Sequence, residues 1–284
     1  MESIRDKVAI VGMGCCRFGE LWDKSGDDLV IEAAYEAFED AGVSPKDIQA
    51  VWAGTSTTDT SGKCLTRPLK LTNIPATRVE NACATGLDAI RNACYAVAAG
   101  AYDIVLVVGF EKQKDMGLRG TGTPQGYHPV FYRAYTPPGD YALAANKYFE
   151  KYGIGKETLA KIAVKNHHNG SLNPKAHLQR EVTLEQVMNA PTIAWPLGLY
   201  DCCGVTDGAA AAILTTKELA RSFASDYVLI KGIGVAASTE MERSMSGYDY
   251  VHFEQTIHAG RQAYQQAGIK NPSGNLFRLA YMVI

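Results

Sequence analysis

The sequence predicts an α/β fold built from two similar halves, the second of them truncated. Three observations lead there. Short apolar segments alternate with stretches of helical periodicity through the first third of the chain. Asp103 to Gly109 (DIVLVVG) is a continuous apolar run, the pattern of a parallel strand covered on both faces. Finally, VLIKGIGVAAS at 228–238 echoes VAIVGMGCCRF at 8–18, and the helix after each closes on a similar ending, AFEDAGV at 37–43 and AYQQAGI at 263–269. The first and last glycines of these units are 30 positions apart in the first copy and 36 in the second, as expected of a duplicated unit.

The elements follow in order. Val8 to Val11 is a short strand that runs into Gly12-Met13-Gly14, read as a tight turn toward a helix. Leu29 to Ala41 carries apolar residues at helical spacing, with Asp27 and Asp28 near its start and Gly42 after its end. Asp47 to Gly54 returns as a strand, and Ala76 to Val79 is another. After a turn at Glu80–Asn81, a helix is expected from about Cys83 to Gly100, small and apolar around most of its circumference and therefore buried. From Lys112 to Pro196 the texture changes. Glycine, proline and tyrosine crowd GTGTPQGYHPVFYRAYTPPGDY, and helices are expected near Tyr141–Lys151 and Lys156–Asn169. This reads as a segment inserted over the scaffold, with Tyr127, Tyr132 and Tyr135 packing within it. The core pattern resumes at Asp207 to Leu214 (DGAAAAIL). The expected division is a first half at 1–111 plus 197–224, an inserted loop domain at 112–196, and part of a second half at 225–284.

Composition narrows the function classes. With 46% hydrophobic and 20% charged positions in 284 residues, the chain has the make-up of a folded globular protein. A net charge of −2 with no basic block argues against a general nucleic-acid partner. No apolar run approaches the ~20 residues of a membrane span, and the start, MESIRDKVAIVGMG, has charges where a signal peptide has its apolar core. A cytoplasmic location without membrane association is expected. Seven cysteines, two pairs of them adjacent and none spaced CxxC, make a poor disulfide framework and read as reduced thiols. His167, His168 and His177 cluster in sequence, but their spacing fits no common zinc motif, and no metal is expected. Gly12-Met13-Gly14 suggests a dinucleotide site, yet the third glycine of that motif would fall at Arg17, and the strand after it lacks the ribose-binding acid.

Cys83 is the candidate nucleophile. It stands between a short strand and a helix, flanked by Ala82, Ala84 and Gly86. A thiolate at a helix start is stabilised by free backbone N–H groups and the positive end of the helix dipole. Small neighbours leave room for a substrate carbonyl, whose developing charge the same N–H groups can hold. Cys94, in mid-helix, and Cys64 are read as packing residues, and so is the Cys202–Cys203 pair.

The string around it, Glu80-Asn81-Ala82-Cys83-Ala84-Thr85-Gly86, resembles the nucleophile motif of the thiolase superfamily, and GVTDGAAAA at 204–212 resembles that family's V-x-D-G-A-A-A segment. KNHHNGSLNP at 165–174 and IAWPLGLYDCCGVTDGAAAAIL at 193–214 are similar to thiolases of the sterol-carrier-protein type and their acetyl-CoA acetyltransferase relatives. The resemblance runs from Val8 to about Pro272. It implies a five-layered αβαβα architecture and a ping-pong acyl transfer, in which Cys83 takes an acyl group from a 3-oxoacyl-CoA and passes it to CoA, or condenses acetyl-CoA in reverse. Acyl-CoA and CoA are then substrates, with no permanently bound cofactor, and a homodimer or tetramer is the implied assembly. CoA-contacting residues are left unassigned, although the insertion, histidines included, is where CoA or an acyl channel would be met. Two departures stand out: Gln113 takes the methionine place of the family's G-x-E-K-M, and the tail SGNLFRLAYMVI does not read like the strand and histidine motif that should follow. That histidine motif and an acid/base Cys-x-Gly would lie beyond Ile284, so an incomplete and inactive chain is one expectation. Two further readings stay open. One is a non-catalytic thiolase-like subunit or scaffold. The other is a thiolase-like aldolase or synthase working with an OB-fold zinc-ribbon partner.

Overall fold

The computed structural model describes residues 4–115, 117, 136–238 and 248–272. Tyr127, Tyr132, Tyr135 and the tail Ser273–Ile284 lie outside the described residues. The chain runs through β1 (Val8–Cys15), α1 (Gly26–Ala41), β2 (Ala50–Gly54), α2 (Lys63–Thr66), β3 (Ala76–Val79), α3 (Thr85–Ala98) and β4 (Ile104–Glu111). There follow α4 (Pro137–Tyr152), α5 (Lys156–Ser171), α6 (Leu184–Met188), β5 (Thr192–Ala194) and β6 (Leu197–Gly198). The last elements are β7 (Gly208–Thr216), α7 (Lys217–Phe223), β8 (Val228–Leu229) and α8 (Glu254–Ala267). They fall into two compact units, one of 1–113, 207–236 and 255–284, the other of 114–206 and 237–254.

The first unit is built on a six-stranded sheet in the order β3-β2-β4-β7-β1-β8. β3, β2 and β4 are parallel, while β7 runs antiparallel to both β4 and β1. Alternate residues along each strand enter two cores, because successive strand side chains point to opposite faces. Ala9, Val51, Leu106, Val108 and Ile213 pack with Leu29, Ala33 and Ala37 of α1. Val8, Ala50, Trp52, Val105 and Leu214 pack with Ala89, Ala93, Cys94 and Val97 of α3. DIVLVVG is thus buried on both sides, as its sequence requires.

α1 begins one turn earlier than its apolar periodicity suggests. The Ser25 hydroxyl accepts from the Asp28 N–H while the Asp28 carboxylate accepts from the Ser25 N–H, a reciprocal cap that satisfies two donors. Two sequence expectations need correction. Gly12 and Gly14 are inside β1 rather than in a turn after it, and a side chain on either would strike the α1 backbone at Ala37 or Ala33. They are glycines so that the helix can lie directly on the strand, which leaves no Gly-rich loop to cradle a pyrophosphate. α3, for its part, buries only one face, and Leu87 on the other side is exposed.

The duplication reappears in space. Gly232 and Gly234 approach the backbone of Ala263 and Ala259 in α8 as Gly12 and Gly14 approach Ala37 and Ala33 in α1. The Met13 N–H donates to Asp40 Oδ2 at 2.8 Å, and at the matching position the Ile233 N–H donates to Gln266 Oε1 at 2.9 Å. Both helices end in a left-handed glycine, Gly42 at φ 62° and Gly268 at φ 72°. Val43 then bonds back to Phe38 O at 3.1 Å and Ile269 to Tyr264 O at 2.9 Å, the same C-terminal cap twice. The strand of the second copy is short. Val228 and Leu229 pair with Ile10 and Ala9 of β1, and Ile230 continues the contact, donating to Val8 O at 2.9 Å and accepting from the Asp6 N–H at 3.1 Å.

The second unit holds α4, α5, α6 and the β5–β6 hairpin. Thr136 caps α4 by accepting from the Gly139 N–H, and Gly153 ends it at φ 63°. A small core of Ala160, Ala163, Val182 and Val187 holds α5 to α6. Among the described residues of the chain, no helix is long and apolar enough to cross a membrane.

Candidate active site

β2, β3 and β4 end side by side in the first unit, and the loops that leave them meet there. Open α/β sheets place reactive groups at this edge, beyond the carboxyl ends of parallel strands. Three glycines draw the backbone together: a side chain on Gly54 would press on Thr85 and Gly86, and Gly109 faces Gly86 in turn. The head of α3 therefore sits directly over the ends of β2 and β4.

Cys83 occupies the loop between β3 and α3. It belongs not to α3, as its sequence suggests, but to a 3-10 turn, Ala82–Ala84, just ahead of it. The reason is the backbone before it. Asn81 is at φ −154° and ψ 52°, and Ala82 is left-handed at φ 46°, so neither can continue a right-handed helix. Cys83 is exposed, and no side chain caps the start of α3. The turn itself takes up N–H groups here, Ala84 donating to the Asn81 carbonyl at 3.0 Å and Thr85 to the Ala82 carbonyl, while the positive end of the α3 dipole still favours a developing negative charge.

Side chains fix the loop. The Thr85 hydroxyl accepts from the Asn81 N–H at 2.8 Å and donates to the Ala82 carbonyl at 2.6 Å. Glu80 Oε1 accepts from the Ala82 N–H at 2.7 Å and from the Ser56 hydroxyl at 3.3 Å. Alongside, Glu111 at the end of β4 gathers the loop after β2, accepting from the hydroxyls of Thr55, Thr57 and Thr58 and from the Ser56 N–H. Next to it, Lys112 Nζ meets Asp207 Oδ2 at 2.9 Å, both side chains buried. This pair joins two strings that are 95 positions apart in sequence, and Asp207 Oδ2 also accepts the Leu21 N–H at 3.2 Å. These clamps were not nominated by sequence reasoning, although Thr-Ser-Thr-Thr at 55–58 beside Glu111-Lys112 is a donor-rich run that could have pointed to them.

The other cysteines divide by burial. Burial pushes the Cys94 thiol up to about 12 and the Cys64 thiol up to about 11, and it raises Cys16, whose Sγ accepts the Ala209 N–H. Such thiols stay protonated at neutral pH. The Cys202–Cys203 pair departs from the packing expectation: it follows the 3-10 turn Leu199–Asp201 in irregular backbone, leaving Cys202 half-buried and Cys203 exposed.

In the second unit the three histidines serve separate partners. His167 donates to the Arg180 carbonyl at 3.1 Å, His168 meets Glu181 at 2.9 Å, and His177 meets the Thr206 hydroxyl at 2.7 Å. Among the described residues no group of histidine, cysteine and carboxylate side chains is gathered for a metal ion.

Residues 8–218 match the family model of the thiolase N-terminal domain. The chain is 37% identical over 270 residues to an acetyl-CoA acetyltransferase of Methanothermobacter thermautotrophicus, a match covering 92% of this chain and 70% of that one. It is 30% identical to sterol carrier protein 2 of Bos taurus, covering 94% of this chain and 52%, about half, of that protein. Among solved structures, the Ltp2-ChsH2(DUF35) aldolase superposes with a TM-score of 0.82 at 28% identity, over 95% of this chain and 72% of that one.

Proposed function

The chain belongs to the thiolase family, and on that premise we propose that it is an acyl-CoA C-acyltransferase whose acyl group is carried by Cys83. One observation bears the most weight. Cys83 is an exposed thiol ahead of a helix start that no side chain caps, whereas burial holds Cys64 and Cys94 in the protonated form.

In the degradative direction the Cys83 thiolate attacks the 3-keto carbon of a 3-oxoacyl-CoA. The bond between C2 and C3 breaks, and its electron pair leaves as the enolate of acetyl-CoA, which takes up a proton. The remaining acyl group stays on Sγ as a thioester. CoA, giving up its thiol proton, then attacks that thioester and releases the cysteine. Acetyl-CoA condenses by the same steps reversed. The positive end of the α3 dipole, beside Cys83, suits the oxyanion that forms at each attack. CoA and acyl-CoA enter only as substrates. We also take the protein to be a cytoplasmic homodimer or tetramer, a compartment suited to seven free cysteines.

Thiolysis of acetoacetyl-CoA by CoA tests the reading. We expect acetyl-CoA to form with the unmodified chain and to fall at least a thousandfold in Cys83→Ala, the scale of losing a covalent nucleophile. Thiolysis that survives the substitution overturns it. The fold match to an aldolase favours a second reading, in which the same scaffold cleaves a carbon–carbon bond together with an OB-fold zinc-ribbon partner. Cleavage that needs such a partner and is indifferent to CoA would select it.

A further inference from the structure

Ala82, the residue before the proposed nucleophile, has a left-handed backbone at φ 46°, a conformation that costs an L-residue energy and persists only where its surroundings impose it. Both of its backbone polar groups are held by side chains from outside the turn. Glu80 Oε1 takes its N–H at 2.7 Å, and the Thr85 hydroxyl donates to its carbonyl at 2.6 Å. The same hydroxyl takes the Asn81 N–H at 2.8 Å, so one buried oxygen ties the two residues that lead into Cys83. Glu80 is itself held by the Ser56 hydroxyl, and Ser56 by the Glu111 carboxylate. Asn81 is secured a second time through its side chain, whose amide reaches Asp88 Oδ2 at 3.4 Å.

We propose that Thr85 and Glu80 are positioning residues for Cys83: together they hold Ala82 left-handed, and that conformation sets the thiol at the start of α3. This rests on the reading of Cys83 as nucleophile and extends it to the residues that set its reactivity. Without the Thr85 hydroxyl, Ala82 relaxes toward right-handed backbone, and Cys83 turns away from the helix start. Misplacement of a reacting group by about 1 Å costs on the order of a hundredfold in rate.

The experiment follows alkylation of the full chain by iodoacetamide at neutral pH, with Cys83 and Cys203 quantified in the same digest. Both are exposed, so their rate ratio reports reactivity rather than access. In the unmodified chain Cys83 should react faster. Thr85→Val, which keeps the shape and removes the hydroxyl, should lower the ratio on the order of tenfold or more with little change in melting temperature. Thr85→Ser should restore it. In an Ala82→Gly background, where left-handed backbone carries no penalty, the loss caused by Thr85→Val should shrink. Glu80→Leu should act as Thr85→Val does, and Glu80→Gln, which keeps an acceptor, should be milder. If Cys83 of the unmodified chain reacts no faster than Cys203, the nucleophile reading fails. If Cys83 is faster but Thr85→Val leaves the ratio unchanged, or costs as much with glycine at 82 as with alanine, the positioning proposal alone is overturned.

Discussion

The strand-and-helix unit at 8–42 and its counterpart at 228–268 close with the same contacts, yet they are enclosed to different degrees. In each, two glycines lie against the helix backbone, one N–H is taken by a side chain on the last turn, and a left-handed glycine ends the helix. β1 is paired along its length with β7, and seven residues of α1 are buried. Among the described residues of the second copy, the paired strand is the two-residue β8, and α8 buries Ala267 alone. The local device is therefore a property of the short sequence that encodes it. Burial is conferred by distant strands, which a short sequence does not encode.

The largest effect should come from the long-range Lys112–Asp207 tie, which also holds the Leu21 N–H of the first copy. Lys112→Met removes the cation that faces the buried Asp207 carboxylate, which costs about 3–5 kcal/mol. Denaturant unfolding followed by tryptophan fluorescence should show the midpoint falling, and Lys112→Met with Asp207→Leu should recover part of the loss. Next in size is the glycine contact. Gly12→Ala pushes a methyl into the Ala37 carbonyl of an enclosed helix and should cost about 3 kcal/mol, whereas Gly232→Ala meets a helix free to shift and should cost about 1. Equal losses would mean that enclosure does not matter.

Alkaline pH probes the enclosed core that α3 forms. A thiol raised from 9.0 to about 12, as at Cys94, leaves the folded state holding a proton that the unfolded state loses. Its contribution is complete below pH 9.0 and is lost as pH rises from there through about 12. The slope is about 1.4 kcal/mol per pH unit. Between about pH 8 and about pH 10, Cys94→Ala should lose about 1.4 kcal/mol less stability than the unmodified chain, because the slope acts only above pH 9.0. Smallest is the cap. Gly42→Ala and Gly268→Ala should each cost about 1 kcal/mol and should match, since both positions are left-handed and the Arg5 side chain near Gly268 can move aside.

Much of this was legible in the sequence, for identifiable reasons. DIVLVVG could only be a strand buried on both faces, and the spacing of Gly42 and Gly268 from their strand glycines marked the duplication. Cys83 stood out because Ala82, Ala84 and Gly86 crowd nothing around it. What was not legible depended on pairings across loops. Glu111 with Thr55, Thr57 and Thr58, Lys112 with Asp207, and Thr85 with Ala82 are hydrogen bonds with no periodic signal, formed only once β2, β3 and β4 are brought side by side. The placement of Gly12 and Gly14 inside β1 was likewise hidden, because glycine is as common in turns as in strands that a helix must approach closely.

The most direct measurement is an acyl-enzyme trap: the chain is mixed with isotopically labelled acetyl-CoA, quenched in acid and mapped by peptide mass spectrometry. One labelled acetyl group is expected on the peptide containing Cys83, held as a thioester that CoA removes. Label on Cys203 instead, or an unlabelled Cys83 in a chain that still thiolyses acetoacetyl-CoA, would contradict it.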